Sequence, residues 1–355
     1  MYKMIKRVAL AVLMVCIAVG ITEAAPRYRW SFAQPWTRPL ADRGYQLFID
    51  RVREYTDGAI EITLFPAGLL GTHDESFHGV RDGSIEISVL SPYVSIVPGG
   101  MMNWMPWTIS SFDEARIAYA YPDGIIFRVM REAWREVNAE LLFSVSQGAY
   151  GFGNNVRPLR LPDDLDGLKM RVSASLGAVR TLGNMGSGTG MTMETIPWAE
   201  IYNALARGVV DGIWSMWPSL LDERHAEVLT HYTHVGWTWD ANNVVINREL
   251  WDSLEPRYQH AIRRAAAAAE QYLNDLHEMA ERSFIERLET EFDNLTITWI
   301  TPEEQAVWRE RADMASVWAE IADPWLESVW PGQDKGAYIR AQLDAVREQV
   351  LARQE

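Results

Sequence analysis

PRYQHAIRRAAAAAEQYLNDLHEMAERSFIERLET, Pro256 to Thr290, decides the architecture. Tyr258, Ile262, Ala265, Ala269, Leu273, Leu276, Ala280 and Leu288 recur at helical spacing, five consecutive alanines occupy 265–269, and no Gly or Pro interrupts the run beyond Pro256. One unbroken helix of about 35 residues reaches about 52 Å, farther than a domain of roughly 150 residues is wide. Such a helix is expected to brace two lobes. A chain of 355 residues also exceeds the size at which a single core stops growing, so two domains are expected.

Around this helix the pattern is that of βα units. Ala59-Ile60-Glu61-Ile62-Thr63-Leu64-Phe65 alternates with period two and stops at Pro66-Ala67-Gly68; after a polar stretch from Thr72 to Arg81, Ile85 to Leu90 reads as a second strand. Further strands are expected at Leu141–Val145, Lys169–Val172, Asn243–Ile246 and Leu295–Trp299, with a helical stretch at Ala199–Arg207. Thr301-Pro302-Glu303-Glu304 opens another helix with a capping box and a proline at its first position. The class is α/β.

The first residues read as an export signal. Lys3, Lys6 and Arg7 precede an apolar run from Val8 to Ile21, about 14 residues where a membrane span needs roughly 20, and Thr22-Glu23-Ala24 offers a small-residue cleavage site before Ala25. Residues 1–24 are therefore expected to be removed, and the mature protein to be periplasmic. A lipoprotein reading of Cys16 suffers from bulky Val15 before it and from the apolar residues after it. Cys16 is the only cysteine, so the mature chain has no thiol for catalysis. With 33 Lys and Arg against 48 Asp and Glu, a net charge of −15 and scattered basic residues, nucleic acid is excluded as a partner.

Catalytic and metal signatures are missing. His231 and His234 form the one close histidine pair, without a third ligand at metal spacing, and read as surface or loop residues. Gly183 to Gly190 is glycine-rich but lacks the Lys-Ser/Thr of a phosphate loop, and reads as a flexible loop. No metal and no cofactor are expected. One local charge anomaly remains: between Gly151 and Arg180, five basic residues face Asp163, Asp164 and Asp166 inside an acidic protein. Arg171 stands out because Leu168-Lys169-Met170-Arg171-Val172 reads as a buried strand, and a buried guanidinium needs an acidic partner or an anionic ligand. Pattern alone leaves both open.

Leu165-Asp166-Gly167-Leu168-Lys169-Met170-Arg171-Val172 resembles the segment that, in DctP-type solute-binding proteins of tripartite ATP-independent periplasmic (TRAP) transporters, leads to a carboxylate-clamping arginine. Phe65-Pro66-Ala67-Gly68-Leu69-Leu70-Gly71, the run from Glu200 to Gly212 and Asn247 to Leu254 also resemble that family, in its order and across nearly all of the mature chain. The resemblance implies two α/β lobes joined by crossing strands and a long helix, with the ligand in a central cleft. The expected division is residues 25–148 plus about 238–275 for lobe I, 149–237 plus about 276–330 for lobe II, and a C-terminal helical extension at 331–355.

The resemblance also implies that Arg171 holds a carboxylate with its two-pronged fork and that Trp198 faces the ligand. Two departures matter. Where many members carry a second arginine, this chain has Gly151; after Val210-Asp211-Gly212, where an acidic residue binds a metal in some members, it has Ile213, Trp214 and Ser215. The candidate binding residues are Arg171, Trp198, Trp214, Ser215 and Asn243, for a small organic acid delivered to the membrane permease subunits of a TRAP transporter. The rivals are a ligand-sensing partner of a signalling receptor and a periplasmic lyase or hydrolase; the latter needs a general base that the motif segments do not supply.

Overall fold

The computed structural model describes residues 25–93, 96–173, 175–330 and 334–354. The export signal lies outside the described residues. Eleven strands among them form two sheets. The first contains β1 (Tyr28–Ala33), β2 (Ile60–Phe65), β3 (Ile87–Leu90), β4 (Ala139–Ala149) and β10 (Trp239–Asn247), in the order β2-β1-β3-β10-β4. The second contains β5 (Gly151–Asn154), β6 (Lys169–Val172), β7 (Thr192–Thr195), β8 (Gly212–Ser215), β9 (His231–His234) and β11 (Thr296–Trp299), in the order β11-β9-β5-β8-β6-β7.

The sheets exchange chain at two places. β4 becomes β5 across Tyr150 alone, and β9 becomes β10 across residues 235–238. The two crossings are bonded to each other: Tyr150 N donates to Thr238 O at 2.8 Å, and Gly236 N to Tyr150 O at 3.1 Å. β4 and β10 are long and buried throughout, whereas the strands expected there from hydrophobic runs were only 141–145 and 243–246; polar Ser, Asn and Gln residues at their ends conceal their length from a reading of hydrophobicity.

The long helix spans Pro256–Glu291, 36 residues and about 54 Å. Tyr258, Ile262, Ala265, Ala269 and Leu273 pack into the core of the first sheet with Phe48, Ile49 and Phe143, while Leu288 belongs to the core of the second with Ile201, Leu220 and Tyr232. The helix therefore braces both lobes, as its period requires.

Several local expectations change. Thr72 to Arg81 is not merely a polar link: His73–Asp82 is a helix whose Thr72 and Glu75 form a reciprocal capping box. His231 and His234 lie in a strand, and the His234 ring stacks on Trp217 at 5.0 Å. Burial holds His234 down at about 4. Gly183 closes into the helix Leu176–Met185, leaving a short turn in which Gly190 N donates to Asp166 Oδ1 at 2.8 Å. Residues 317–330, expected with the second lobe, pack instead in the first: Val317, Trp318, Ala322, Trp325 and Leu326 join the core built on Ile126, Met130 and Trp134. The C-terminal helix Lys335–Gln354 adds Ile339 and Leu343 to the same core.

Candidate functional site

The parallel strands of both sheets end at one gap, and loops leaving them supply its walls. β1 leads to Trp36 and Arg38, β3 to Ser91 and Tyr93, β6 to Ser173, β7 to Trp198 and β8 to Met216; β10 enters the first sheet beside them with Asp240 and Asn242. They line a cleft that holds about 460 Å³ of atom-free space, open solvent at its mouth included.

Arg171 is the third residue of β6, paired beside Glu194 of β7, and only 2% exposed. Its Nε donates to Ile196 O at 2.8 Å, and its guanidinium lies 5.5 Å from the Trp198 ring centre. No described carboxylate forms an ion pair with it, and its two terminal nitrogens have no hydrogen-bond partner among the described residues. Burial brings the group down to about 10, against the opposing influence of Tyr93 and Tyr150, so it remains charged at neutral pH. A cation fixed by one backbone carbonyl and held dry in a cavity is a receptor for an anion.

Arg38 stands on the opposite wall, as the residue before the helix Pro39–Tyr55. Its Nη1 donates to Glu223 Oε1 at 2.9 Å and lies 3.6 Å from Asp222 Oδ2, and Nη2 reaches Ser219 Oγ at 3.4 Å. Those partners belong to the helix Trp217–Asp222 and its end, so Arg38 ties the two lobes together across the cleft. Aromatic rings fill much of the remaining wall. Trp36, His73, Tyr93 and Trp104 form a ladder with successive centroid separations of 5.5, 4.6 and 5.6 Å, and Tyr150 lies 4.8 Å from Trp214. Asp240 accepts from Trp104 Nε1 at 2.8 Å and is bonded by Tyr150; burial pushes its carboxyl up to about 6 despite these donors and the charge of Arg38.

Four buried polar atoms on this wall have no partner among the described residues: Arg38 Nε, Ser173 Oγ, Trp198 Nε1 and Trp214 Nε1. Buried donors are ordinarily satisfied, and these four belong to residues that line the cleft.

Of the residues expected from sequence, Arg171, Trp198 and Trp214 come together here. Ser215 and Asn243 do not line the cavity. Ser215 is buried within β8, with its carbonyl accepting from Tyr232 at 3.0 Å, and Asn243 turns to Trp134, accepting from its Nε1 at 2.7 Å. Its neighbour Asn242 faces the cavity and accepts from Ser91 Oγ at 2.8 Å. Gly151 has no room for a side chain: a Cβ would stand 2.3 Å from Thr233 O and 2.7 Å from the Tyr232 ring. Any second positive charge must come from elsewhere; Arg38 is the other arginine on the wall, and its charge is taken up by Glu223 and Asp222. Trp36, Arg38, Tyr93 and Asp240 escaped the sequence reading; their shared signal is a place just beyond, or at the start of, a strand. Among the described residues no group of three or more His, Cys, Asp or Glu side chains could hold a metal ion.

Residues 38–323 match the family model of bacterial extracellular solute-binding proteins, family 7 (DctP). The chain belongs to this family. It is similar to the C4-dicarboxylate-binding periplasmic protein DctP of Rhodobacter capsulatus, 25% identical over 76% of this chain and 79% of that one. It is also similar to the ectoine-binding periplasmic protein TeaA of Halomonas elongata, 22% identical over 98% of each. Among solved structures, a TRAP periplasmic solute-binding protein from Chromohalobacter salexigens with bound D-glucuronate superimposes with a TM-score of 0.74 at 21% identity, covering 89% of this chain and 99% of that one. The fold is that of the two-lobed TRAP solute-binding proteins. Family 7 proteins bind solutes outside the cytoplasm and are not enzymes. Among the described residues no helix is long and apolar enough to cross a membrane.

Proposed function

We propose that this protein captures a small organic carboxylate in the cleft and delivers it to the membrane permease subunits of an ion-gradient-driven TRAP transporter. The observation that carries the reading is Arg171: a buried guanidinium, free of carboxylate partners among the described residues, lining the cleft. Its fork fits a carboxylate with two parallel bonds, and the rings of Trp198 and Trp214 offer an apolar seat beside it. The named ligands of several relatives, C4-dicarboxylates and D-glucuronate among them, carry the same group.

The lobe division that goes with this reading is 25–148 with about 238–275, against 149–237 with about 276–316, the tail from 317 returning to the first. Ligand then favours closure about the crossings at Tyr150 and residues 235–238. Native mass spectrometry of the purified protein, followed by release and identification of its ligand, is the test. The expected result is a small molecule bearing a carboxylate, retained by the wild type and lost from Arg171→Ala. A solute without an acidic group, or equal retention by the variant, would overturn the proposal.

A further inference from the structure

The cleft carries a buried carboxylate that an anion receptor does not need. Asp240 is 3% exposed, stands at the head of β10 where the chain leaves the hinge, and lines the same cavity as Arg171. Its hydrogen-bond partners, Trp104 Nε1 and the Tyr150 hydroxyl, are neutral. Arg38 is the positive charge it feels, yet that guanidinium is engaged by Glu223 and Asp222 on the opposite lobe. Charge matching on the cavity wall is thus complete for Arg38 and incomplete at two points of opposite sign, Arg171 and Asp240.

We propose that the ligand is a zwitterion, whose carboxylate is held by Arg171 and whose cationic nitrogen lies among the aromatic rings toward Asp240. This deepens the carboxylate reading above and rests on it. A purely anionic ligand would place its charge in a dry cleft with the Asp240 carboxylate and would leave that carboxylate without a counter-ion. A zwitterion answers both charges at once. The walls suit it as well: the stacked Tyr93 and Trp104 rings, with Trp36 and Trp198, present electron-rich faces, which attract an ammonium or amidinium by its charge rather than by a fixed hydrogen-bond pattern. Burial raises the tendency of Asp240 to take up a proton, and a cation beside it would hold it ionised.

Calorimetry with isosteric pairs tests this directly. Glycine betaine and 3,3-dimethylbutanoate differ by a nitrogen cation in place of a carbon, as do L-proline and cyclopentanecarboxylate; succinate and D-glucuronate serve as anion-only probes. At neutral pH the zwitterion of at least one pair should bind at least tenfold tighter than its carbon isostere and than either anion-only probe. Asp240→Asn should reduce that preference to threefold or less while the Arg171 dependence persists, and its melting temperature should show the protein still folded. If Asp240→Asn fails to fold, Asp240→Glu, which keeps the charge, should retain the preference. Tighter binding of succinate, D-glucuronate or a carbon isostere overturns the zwitterion and leaves carboxylate capture standing. A preference unchanged in folded Asp240→Asn also overturns it. Failure of every probe to bind, zwitterionic or anionic, overturns both.

Discussion

Arg263 and Arg171 are both withdrawn from water, at 7% and 2% exposure, and the fold treats them in opposite ways. Arg263, on the long helix, pairs with fully buried Glu140 and donates to the carbonyls of Leu141 and Leu142 at 2.6 and 3.1 Å. Glu140 in turn receives Arg131 and Arg135 at 2.7 Å each, so the first lobe contains a closed cluster of charge. Arg171 has one carbonyl and one aromatic face. A guanidinium whose counter-ion is built into the chain is part of the scaffold; one whose counter-ion is missing is a binding group that costs stability until ligand arrives.

The sharpest test of that contrast exchanges the two losses. Arg171→Ala should reduce ligand affinity by about 3–5 kcal/mol, roughly two to four decades in dissociation constant, with the melting temperature unchanged or raised. Titration calorimetry and a thermal melt on the same sample check both. Glu140→Gln should do the reverse: with three arginines left around an uncharged amide, stability should fall by about 3–5 kcal/mol in urea unfolding, while whatever folds still binds. A binding defect without loss of stability would break the assignment of Glu140 to the scaffold.

Trp198→Ala sharpens the picture of the cleft arginine. Removal of the ring beneath Arg171 should weaken binding by about 1.5–3 kcal/mol, one to two decades, and change the tryptophan emission response to ligand. If the ring is only packing, the melting temperature drops and affinity stays near normal.

The smallest effect concerns the scaffold again. Glu270, facing β4 from the long helix and accepting from Ser144 N at 3.2 Å, is pushed up to about 8 by burial, opposed by that bond and by Arg263. Its folded value lies above the unfolded one, so its contribution is complete below about 4.5 and is lost as pH rises through about 8. Between pH 6.5 and 8, above the range in which buried His277 and His234 titrate against their unfolded forms, wild type should lose roughly 1–2 kcal/mol relative to Glu270→Gln. Parallel unfolding curves across that range would remove Glu270 from the account.

The long helix and Arg171 were legible for the same reason: each is a violation of chance within one contiguous stretch. Eight apolar positions at one period cannot be a loop, and a guanidinium in a strand of apolar residues demands a partner. Trp198 and Trp214 came with the family resemblance, whereas Trp36, Arg38, Tyr93, Asp240 and Asn242 were not legible because they meet only through the strand order of two sheets. Asn243 shows how fine the limit is. Asp240 and Asn242 line the cavity two residues apart, and Asn243 between Asn242 and Val244 falls on the other face by the ordinary alternation of a strand; the register irregularities place the unpaired residues, Gln147 and Leu142, in β4 and leave the parity of β10 intact. Arg38 was hidden in another way, as an ordinary basic residue before a proline whose carboxylate partners lie 184 and 185 positions away.

The return of residues 317–330 to the first lobe has a consequence for the order in which the chain can fold. Both ends of the described chain pack with the first sheet, and the second sheet is assembled from two stretches, β5 to β9 and the later β11, with β10 and the start of the long helix returning to the first between them. The cores of the second lobe are complete by Ala312, whereas the first lobe still waits for Ile339 and Leu343. A chain emerging from its N-terminus can finish the cores of the second lobe while the core that takes Ile339 and Leu343 is still incomplete. The helix Lys335–Gln354 then acts as the fastener of that core, closing it with Ile339 and Leu343.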